Sequence, residues 1–169
     1  YFRIYGVDLD VPKTDPGKVV FLDARTLAVR GAVTVGALPD MVTFDGDGRR
    51  LLVANEGEPE SYLPGAVNPE GSVSIVDLDR GVARATVRTA DFRTFGKQEL
   101  LAQGVRVFGP GASAAQDLEP EYITVKGRTA WVTLQEANAV AVVDVPSATV
   151  TAILPLGLKD HSIPGNGLD

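Results

Sequence analysis

The feature that most constrains this sequence is a repeated unit of short β-strands. Residues 38–60, LPDMVTFDGDGRRLLVANEGEPE, combine two runs of strand-forming residues with a turn at Asp45-Gly46-Asp47-Gly48. Glycine accepts positive φ and aspartate tolerates it, so this tetrapeptide favours a hairpin. The second run, residues 51–54, is apolar on both faces, which is typical of a strand between two packed sheets. Internal repeats of this kind limit the fold more strongly than any other signal.

The unit occurs again in the second half of the chain. Each copy combines four short strands joined by tight turns, and the last strand of each alternates apolar and polar residues. Four-stranded antiparallel units in tandem are the blades of a β-propeller. The matching segments are EPEYITV (119–125) with LPDMVTF (38–44), TAWVTL (129–134) with RLLVAN (50–55), NAVAVVD (138–144) with GSVSIVD (71–77) and GKVVFLD (17–23), and ATVTAIL (148–154) with VARATVRT (82–89).

The predicted fold is therefore all-β, a β-propeller of four-stranded antiparallel blades. The chain is expected to be an incomplete segment, with about two full blades plus flanking strands and one short inserted helix at residues 97–103. A propeller needs about four blades to close, so we expect a processed or excised part of a longer propeller, or other chains that cover its ends. The predicted divisions are 1–37 (end of one blade), 38–90 (blade), 91–117 (insertion with the short helix), 118–156 (blade) and 157–169 (beginning of the next blade).

Composition excludes several classes of function. The 169 residues carry a net charge of −6, so the chain has no basic footprint for nucleic acid or for an anionic membrane surface. The absence of cysteine removes disulfides, thiolate metal sites and cysteine nucleophiles. No apolar run approaches the roughly 20 residues of a transmembrane helix. We therefore expect no nucleic-acid partner and no membrane span in this segment.

Candidate metal ligands lie at the beginnings of the innermost strands. Equivalent positions in successive blades point towards one axis, so Asp40, Glu121 and His161 are expected to converge at the mouth of the channel. Carboxylates suit Ca²⁺ or Mg²⁺, and an imidazole extends the choice to Mn²⁺, Zn²⁺ or Fe. Glu56 and Glu58 form a denser acidic group, which repels itself unless a cation or a proton lies between the carboxylates. The alternatives are turn-capping acids and a solvated loop.

Other motifs have simpler interpretations. His161 is the only histidine, and no G-x-S-x-G motif is present, which argues against a serine hydrolase. The segment 45–48 lacks the later ligands of a calcium loop and is predicted to be a plain hairpin turn. Trp131 lies in the middle of a strand and is predicted to pack in the core. The glycine-rich segment 109–113 has no following Lys-Ser/Thr, so no nucleotide or other organic cofactor is expected.

Longer stretches carry a resemblance to a known family. LVAN (52–55) followed by GSVSIVD (71–77) resembles the YVTN-type propeller repeat. LPDMVTFDGDGRRLLVANEGEPE, FGPGASAAQDLEPEYI, WVTLQEANAVAVVDV and LKDHSIPGNGLD together resemble the choice-of-anchor I family, over about residues 18–169. The resemblance implies a bacterial exported or cell-surface propeller protein with further blades and a separate anchor. Some relatives carry an alkaline phosphatase label.

Two functions are consistent with these features. The favoured one is an extracytoplasmic (secreted, periplasmic or cell-surface) module for surface binding or structural assembly that holds a divalent cation such as Ca²⁺. Its partners would be the remaining blades or other envelope or surface-layer proteins. The alternative is a metal-dependent phosphoesterase at the channel mouth, where metal would activate water. The basic residues Arg49, Arg50, Lys126 and Arg128 fall in predicted outer turns, away from such a site.

Overall fold

The computed structural model describes residues 2–5 and 12–167 of the chain. The fold is built almost entirely from antiparallel strands. The strands are β1 Phe2–Tyr5, β2 Pro16–Asp23, β3 Val29–Ala37, β4 Pro39–Phe44, β5 Arg50–Asn55, β6 Ser72–Asp77, β7 Thr86–Asp91, β8 Pro120–Lys126, β9 Thr129–Leu134, β10 Ala139–Asp144 and β11 Thr149–Pro155. The helices are α1 Lys97–Ala102 and α2 Ala114–Asp117, with one 3₁₀ turn at Val82–Arg84.

Strands consecutive in sequence pair with one another and form three sheets. Sheet A contains β1–β3, sheet B contains β4–β7 and sheet C contains β8–β11, each in sequential order. The two four-stranded sheets confirm the predicted fold class, a β-propeller segment with four-stranded antiparallel blades. The repeat pairs align in register: Asn55 pairs with Ser72 in sheet B, as Leu134 pairs with Ala139 in sheet C. The exact division into blades stays a prediction.

The core lies between the sheets. Strand β5 is buried along almost its whole length, which confirms the prediction of a strand apolar on both faces. Leu51 and Val53 point to sheet A and pack with Val19 and Phe21, whereas the alternate residues point to sheet C. Sheet B is thus sandwiched between its two neighbours. The insertion after β7 closes the core between sheets B and C with buried side chains that include Phe92, Leu100, Val105 and Leu118.

Three local predictions need correction. Trp131 is 37% exposed, because Ala130 and Val132 occupy the core-facing positions of β9 and strand alternation turns Trp131 to the opposite face. The last strand of sheet B begins at Thr86 and not at residue 82, since residues 82–84 form the 3₁₀ turn. The insertion carries a second short helix, α2, whose Ser113 and Gln116 form a reciprocal capping box.

The hairpin between β4 and β5 is a plain turn, as predicted. The Asp45 side chain is buried and accepts hydrogen bonds from the backbone N–H groups of Arg49 (2.9 Å) and Arg50 (3.1 Å). The N–H of Gly48 donates to the carbonyl oxygen of Asp45 at 3.0 Å, and Gly48 has a φ of 66°. The acidic side chain therefore stabilises the turn and is not free to bind a cation.

Candidate functional site

The two innermost strands begin with the same local structure. Leu38 (φ 47°) precedes Pro39 at the start of β4, and Glu119 (φ 40°) precedes Pro120 at the start of β8. Proline fits the first position of a strand because it has no N–H to donate. The pairing with the next strand shifts register directly after each proline. The irregularity falls on Asp40 in β4 and spans Glu121 and Tyr122 in β8.

Those acidic residues are Asp40 and Glu121, and they lie close together because β4 contacts β8. Glu56 joins them from the end of β5, where its N–H donates to the carbonyl oxygen of Leu38 at 2.9 Å. The chain can turn there because Gly57 has a φ of 71° and passes close to Gly71. Six carboxylates gather in this region, and we call them the acidic cluster: Asp40, Glu56, Glu58, Glu119, Glu121 and Glu136.

The carboxylates of this cluster repel one another. Burial, together with the charges of Glu58, Asp40 and Glu136, raises the pKa of Glu56 to about 7, and Lys13 opposes the shift. Burial likewise raises the pKa of Glu119 to about 7, with Glu136 as the largest neighbouring charge. Glu56 and Glu119 are therefore only partly ionised at neutral pH.

Glu121 is the most strongly perturbed member. Burial, a side-chain hydrogen bond with Glu136 and the charges of Glu136, Glu56 and Asp40 raise its pKa to about 8. Two carboxyl groups can form such a hydrogen bond only when one of them is protonated. Glu121 is therefore largely protonated at neutral pH.

Few positive charges balance the cluster. Lys13 Nζ lies 2.7 Å from Glu58 Oε2 and forms an ion pair with it. The arginines considered above pair elsewhere in outer turns: Arg49 with Asp79 (3.8 Å), Arg50 with Asp45 (3.6 Å) and Arg128 with Asp144 (3.9 Å). These three arginines thus form ion pairs at a distance from the cluster. A phosphoesterase with its site at the cluster would need a cation there to bind the phosphate.

The structure brings four of the five residues predicted to bind a metal into one region: Asp40, Glu56, Glu58 and Glu121. His161 lies on the exposed loop after β11, where its Nδ1 is 2.6 Å from the carbonyl oxygen of Asn166. As they stand, the described side chains form no group of three or more acidic or histidine residues that could hold a metal ion. Metal binding by these residues stays a prediction.

Sequence reasoning missed Glu119 and Glu136. Glu119 aligns with Leu38, which is apolar, so the repeat gave no reason to single it out. Glu136 is the second residue after β9, and the repeat places Gln135 at the position of Glu56, so the alignment gave no signal for Glu136. The 5% exposure of Glu119 makes it the most buried carboxylate of the cluster.

Comparison with known proteins decides the family. The profile of the choice-of-anchor I domain matches residues 7–169. The chain belongs to the choice-of-anchor I family. Membership confirms the resemblance described above and indicates a cell-surface or exported module. None of the described helices is long and apolar enough to cross a membrane.

Other comparisons bear on the fold. The structure of Kuenenia stuttgartiensis hydrazine synthase is similar, with a TM-score of 0.59 at 14% sequence identity. The match covers 92% of this chain and 47% of that chain, so the chain spans about half the length of its structural neighbour. At this identity the similarity concerns the fold alone. A search of curated proteins found no match.

Proposed function

We propose that this choice-of-anchor I chain is an extracytoplasmic propeller module that serves surface binding or structural assembly. The observation that supports assembly is the face of sheet C that points away from sheet B. Tyr122 (57% exposed), Trp131 and Leu154 (49% exposed) lie there, with Val140 and Val142 between them. Exposed apolar patches of this kind mark interaction surfaces. The proposed occupant is a further four-stranded blade, supplied by polypeptide outside residues 1–169 or by another envelope protein.

Trp131 provides a direct test because it is the only tryptophan of residues 1–169. In the 169-residue chain its fluorescence should be red-shifted and accessible to acrylamide. In a longer protein that includes the proposed blade, with any tryptophan outside residues 1–169 replaced by phenylalanine, the emission should shift to the blue and quenching should fall, because the blade covers the face. Size-exclusion chromatography with X-ray scattering complements this measurement. A compact monomer of the isolated chain, with Trp131 equally quenched in both proteins, would contradict the proposal.

We further propose that the acidic cluster binds a divalent cation, with Ca²⁺ the first choice for carboxylate oxygens. The support is the grouping of six carboxylates around the strand beginnings, with Lys13 as their one paired base among the described residues. A cation would replace the proton on Glu121. Rotation of exposed side chains such as Asp40 and Glu136 would bring the oxygens around the ion.

Calorimetric titration of Ca²⁺ into chelator-treated protein at pH 7 tests this second proposal. Binding should release protons, so the measured enthalpy should differ between buffers with different ionisation enthalpies. Glu121→Gln should weaken binding at least tenfold. Glu99→Gln, on exposed α1, is the matched control and should leave binding unchanged. Equal affinity in the two variants, or no heat at millimolar Ca²⁺, would refute cation binding by the cluster.

The same preparations separate this proposal from the phosphoesterase alternative. Elemental analysis and turnover of p-nitrophenyl phosphate are measured before and after chelation. Bound metal together with chelator-sensitive turnover would favour the enzyme. Ca²⁺ binding without turnover is the outcome that the proposed surface module predicts.

A further inference from the structure

A polar pocket lies between sheets A and B, at the end where β3 leads into β4. Only Leu38 separates those two strands, whereas the insertion after β7 fills the same end of the interface between sheets B and C. The pocket has a volume of about 690 Å³, and residues 68–71, which precede β6, also line it. That volume is within the range of roughly 300–1,000 Å³ found for ligand sites.

Sheet B presents polar side chains to this pocket, although the same face is apolar further along. Val76 and Val87 of sheet B pack in one cluster with side chains of sheet A. Because side chains alternate along a strand, residues two and four positions from these valines lie on the same face. Those towards the pocket are all polar: Ser72, Ser74, Thr89 and Asp91.

The repeat shows that packing alone does not require polar residues at these positions. The register of strand pairing makes the following residues equivalent in sheets B and C: Asn55 and Leu134, Ser72 and Ala139, Ser74 and Ala141, Thr89 and Ile153, and Asp91 and Pro155. Every one of these residues is apolar in sheet C and polar in sheet B. An interface between two sheets is thus built from apolar residues in one copy of the unit, and the polar set of the other copy indicates a different role.

Buried hydrogen bonds orient one hydroxyl group of the pocket. Asn55 is fully buried, and its Nδ2 donates to Ser72 Oγ at 3.2 Å and to Ser74 Oγ at 2.9 Å. Because Ser72 Oγ accepts this bond, its own O–H is free to donate. Ser72 is 7% exposed and lines the pocket. Asn55 Oδ1 is buried without a partner among the described residues, so this network carries a desolvation cost that apolar residues would avoid.

Further donors and acceptors surround this hydroxyl group. Thr14 and Thr89 add two hydroxyl groups to the lining. The Asp91 carboxylate accepts from the N–H of Arg93 at 3.2 Å and has room for further hydrogen bonds. Arg93 Nε donates to Glu70 Oε2 at 2.6 Å, which leaves the terminal nitrogens of this exposed side chain available to a ligand. The lining therefore mixes donors and acceptors within one pocket.

The charges of the pocket disfavour an ionic ligand. An anion would lie near the carboxylate of Asp91, and a cation would lie near the guanidinium group of Arg93. An uncharged ring with several hydroxyl groups fits the lining, because each hydroxyl group both donates and accepts. Pro16, Ala37 and Pro69 supply apolar surface for the C–H groups of such a ring.

We propose that this pocket binds a neutral sugar residue of a glycan. The O–H groups of Ser72 and Thr89 donate to hydroxyl oxygens of the sugar, and Asp91 accepts from a neighbouring hydroxyl group. The pocket is separate from the acidic cluster and from the exposed face of sheet C. The proposal therefore goes beyond the function proposed above and does not depend on it.

The test is NMR titration of the isotope-labelled chain with the methyl glycosides of glucose, galactose, mannose and N-acetylglucosamine, with EDTA present. Cyclohexanol is the control ligand, because it is a six-membered ring with a single hydroxyl group. Acetate is the probe for binding of a simple anion at Arg93.

Four variants accompany the titration. Thr89→Val and Asp91→Asn each remove one proposed contact. The double variant Ser72→Ala/Thr89→Ile gives sheet B the residues found in sheet C. Thr86→Val is the matched control, since Thr86 is an exposed threonine of the same strand that does not line the pocket. Circular dichroism establishes that each variant is folded.

At least one of the four glycosides should bind at millimolar concentration and shift the amide signals of Ser72, Thr89 and Asp91. Each single pocket variant should weaken this binding at least fivefold, the double variant should abolish it, and Thr86→Val should leave it unchanged. Cyclohexanol should not bind. No binding of any glycoside at tens of millimolar, equal binding of cyclohexanol, or affinities that the pocket variants do not change would overturn the proposal. Binding of acetate in place of the glycosides would overturn the assignment to a neutral sugar.

Discussion

Gly57 allows a sharp test of how the acidic cluster is positioned. It has a φ of 71°, and a Cβ there would lie 2.6 Å from the backbone nitrogen of Gly71 and 2.7 Å from the carbonyl carbon of Glu70. These are backbone atoms, and the N–H of Gly71 is held by the carbonyl oxygen of Ala115 at 2.8 Å. Gly57→Ala therefore combines a conformational cost with a steric clash that the neighbouring chain cannot relieve easily.

The magnitude follows from these two contributions. A non-glycine residue in the left-handed region costs about 1–2 kcal/mol. Overpacking against fixed atoms adds about 1–3 kcal/mol. Gly57→Ala should thus lower the free energy of unfolding by about 2–5 kcal/mol. Gly48→Ala is the control, because Gly48 has a similar φ of 66° but a Cβ there would meet no atom within 4 Å, so it should lose only the first contribution.

Urea denaturation followed by circular dichroism measures both variants. With m near 2 kcal/mol/M, an extra 1–3 kcal/mol lowers the midpoint of Gly57→Ala by about 0.5–1.5 M relative to Gly48→Ala. The m values should be unchanged. Equal midpoints for the two variants would refute the close approach of Gly57 to residues 70 and 71, and with it the described path of the chain from Glu56 to Glu58.

Three further predictions concern charge, core and cap. Since the pKa of Glu121 is raised from 4.5 to about 8, its ionisation is easier in the unfolded chain, so the free energy of unfolding should fall as pH rises from about 4.5 to about 8. Thermal denaturation of Glu121→Gln across this range should show a weaker decline, and an unchanged pH profile would contradict the shift. Leu52→Ala should lower the free energy of unfolding, measured by urea denaturation, by about 2–5 kcal/mol because Leu52 is fully buried. Leu154→Ala should change it by less than about 1 kcal/mol, because Leu154 is 49% exposed. Similar losses in the two variants would contradict the described burial. Ser113→Ala removes the cap of α2 and should lower the free energy of unfolding by about 0.5–2 kcal/mol in the same assay. An unchanged urea midpoint would show that the capping box does not stabilise the protein.

The sequence was sufficient to predict the sheets because their determinants are local and repeated. Strand β5 and its counterpart β9 recur with similar turns, and the repeat outweighs uncertainty in any single strand. Trp131 was misplaced because a central position in a strand does not establish burial. The alternation of Ala130 and Val132 decides which face the residue occupies. Helix α2 has only four residues, too few for a periodic pattern.

The acidic cluster was predictable only in part. The shared Pro-acid pair placed Asp40 and Glu121 at equivalent positions, and the polar end of β5 indicated Glu56. Glu119 and Glu136 join them because of backbone geometry that residue types do not reveal. Glu119 adopts a positive φ of 40°, and Glu136 lies in the turn between β9 and β10. The pocket between sheets A and B depends on contacts distant in sequence, such as that of Gln116 with Asn68, which both line it.

The position of sheet B has a consequence for the order in which the structure opens. Its residues contribute to both apolar clusters, whereas sheets A and C each contribute to one. Sheet A can therefore detach at the expense of the smaller cluster alone, while the larger one stays intact. Unfolding of sheet B would disrupt both clusters at once. Backbone amides of β5 and β6 should consequently be among the last to exchange with solvent, and local opening should begin at sheet A.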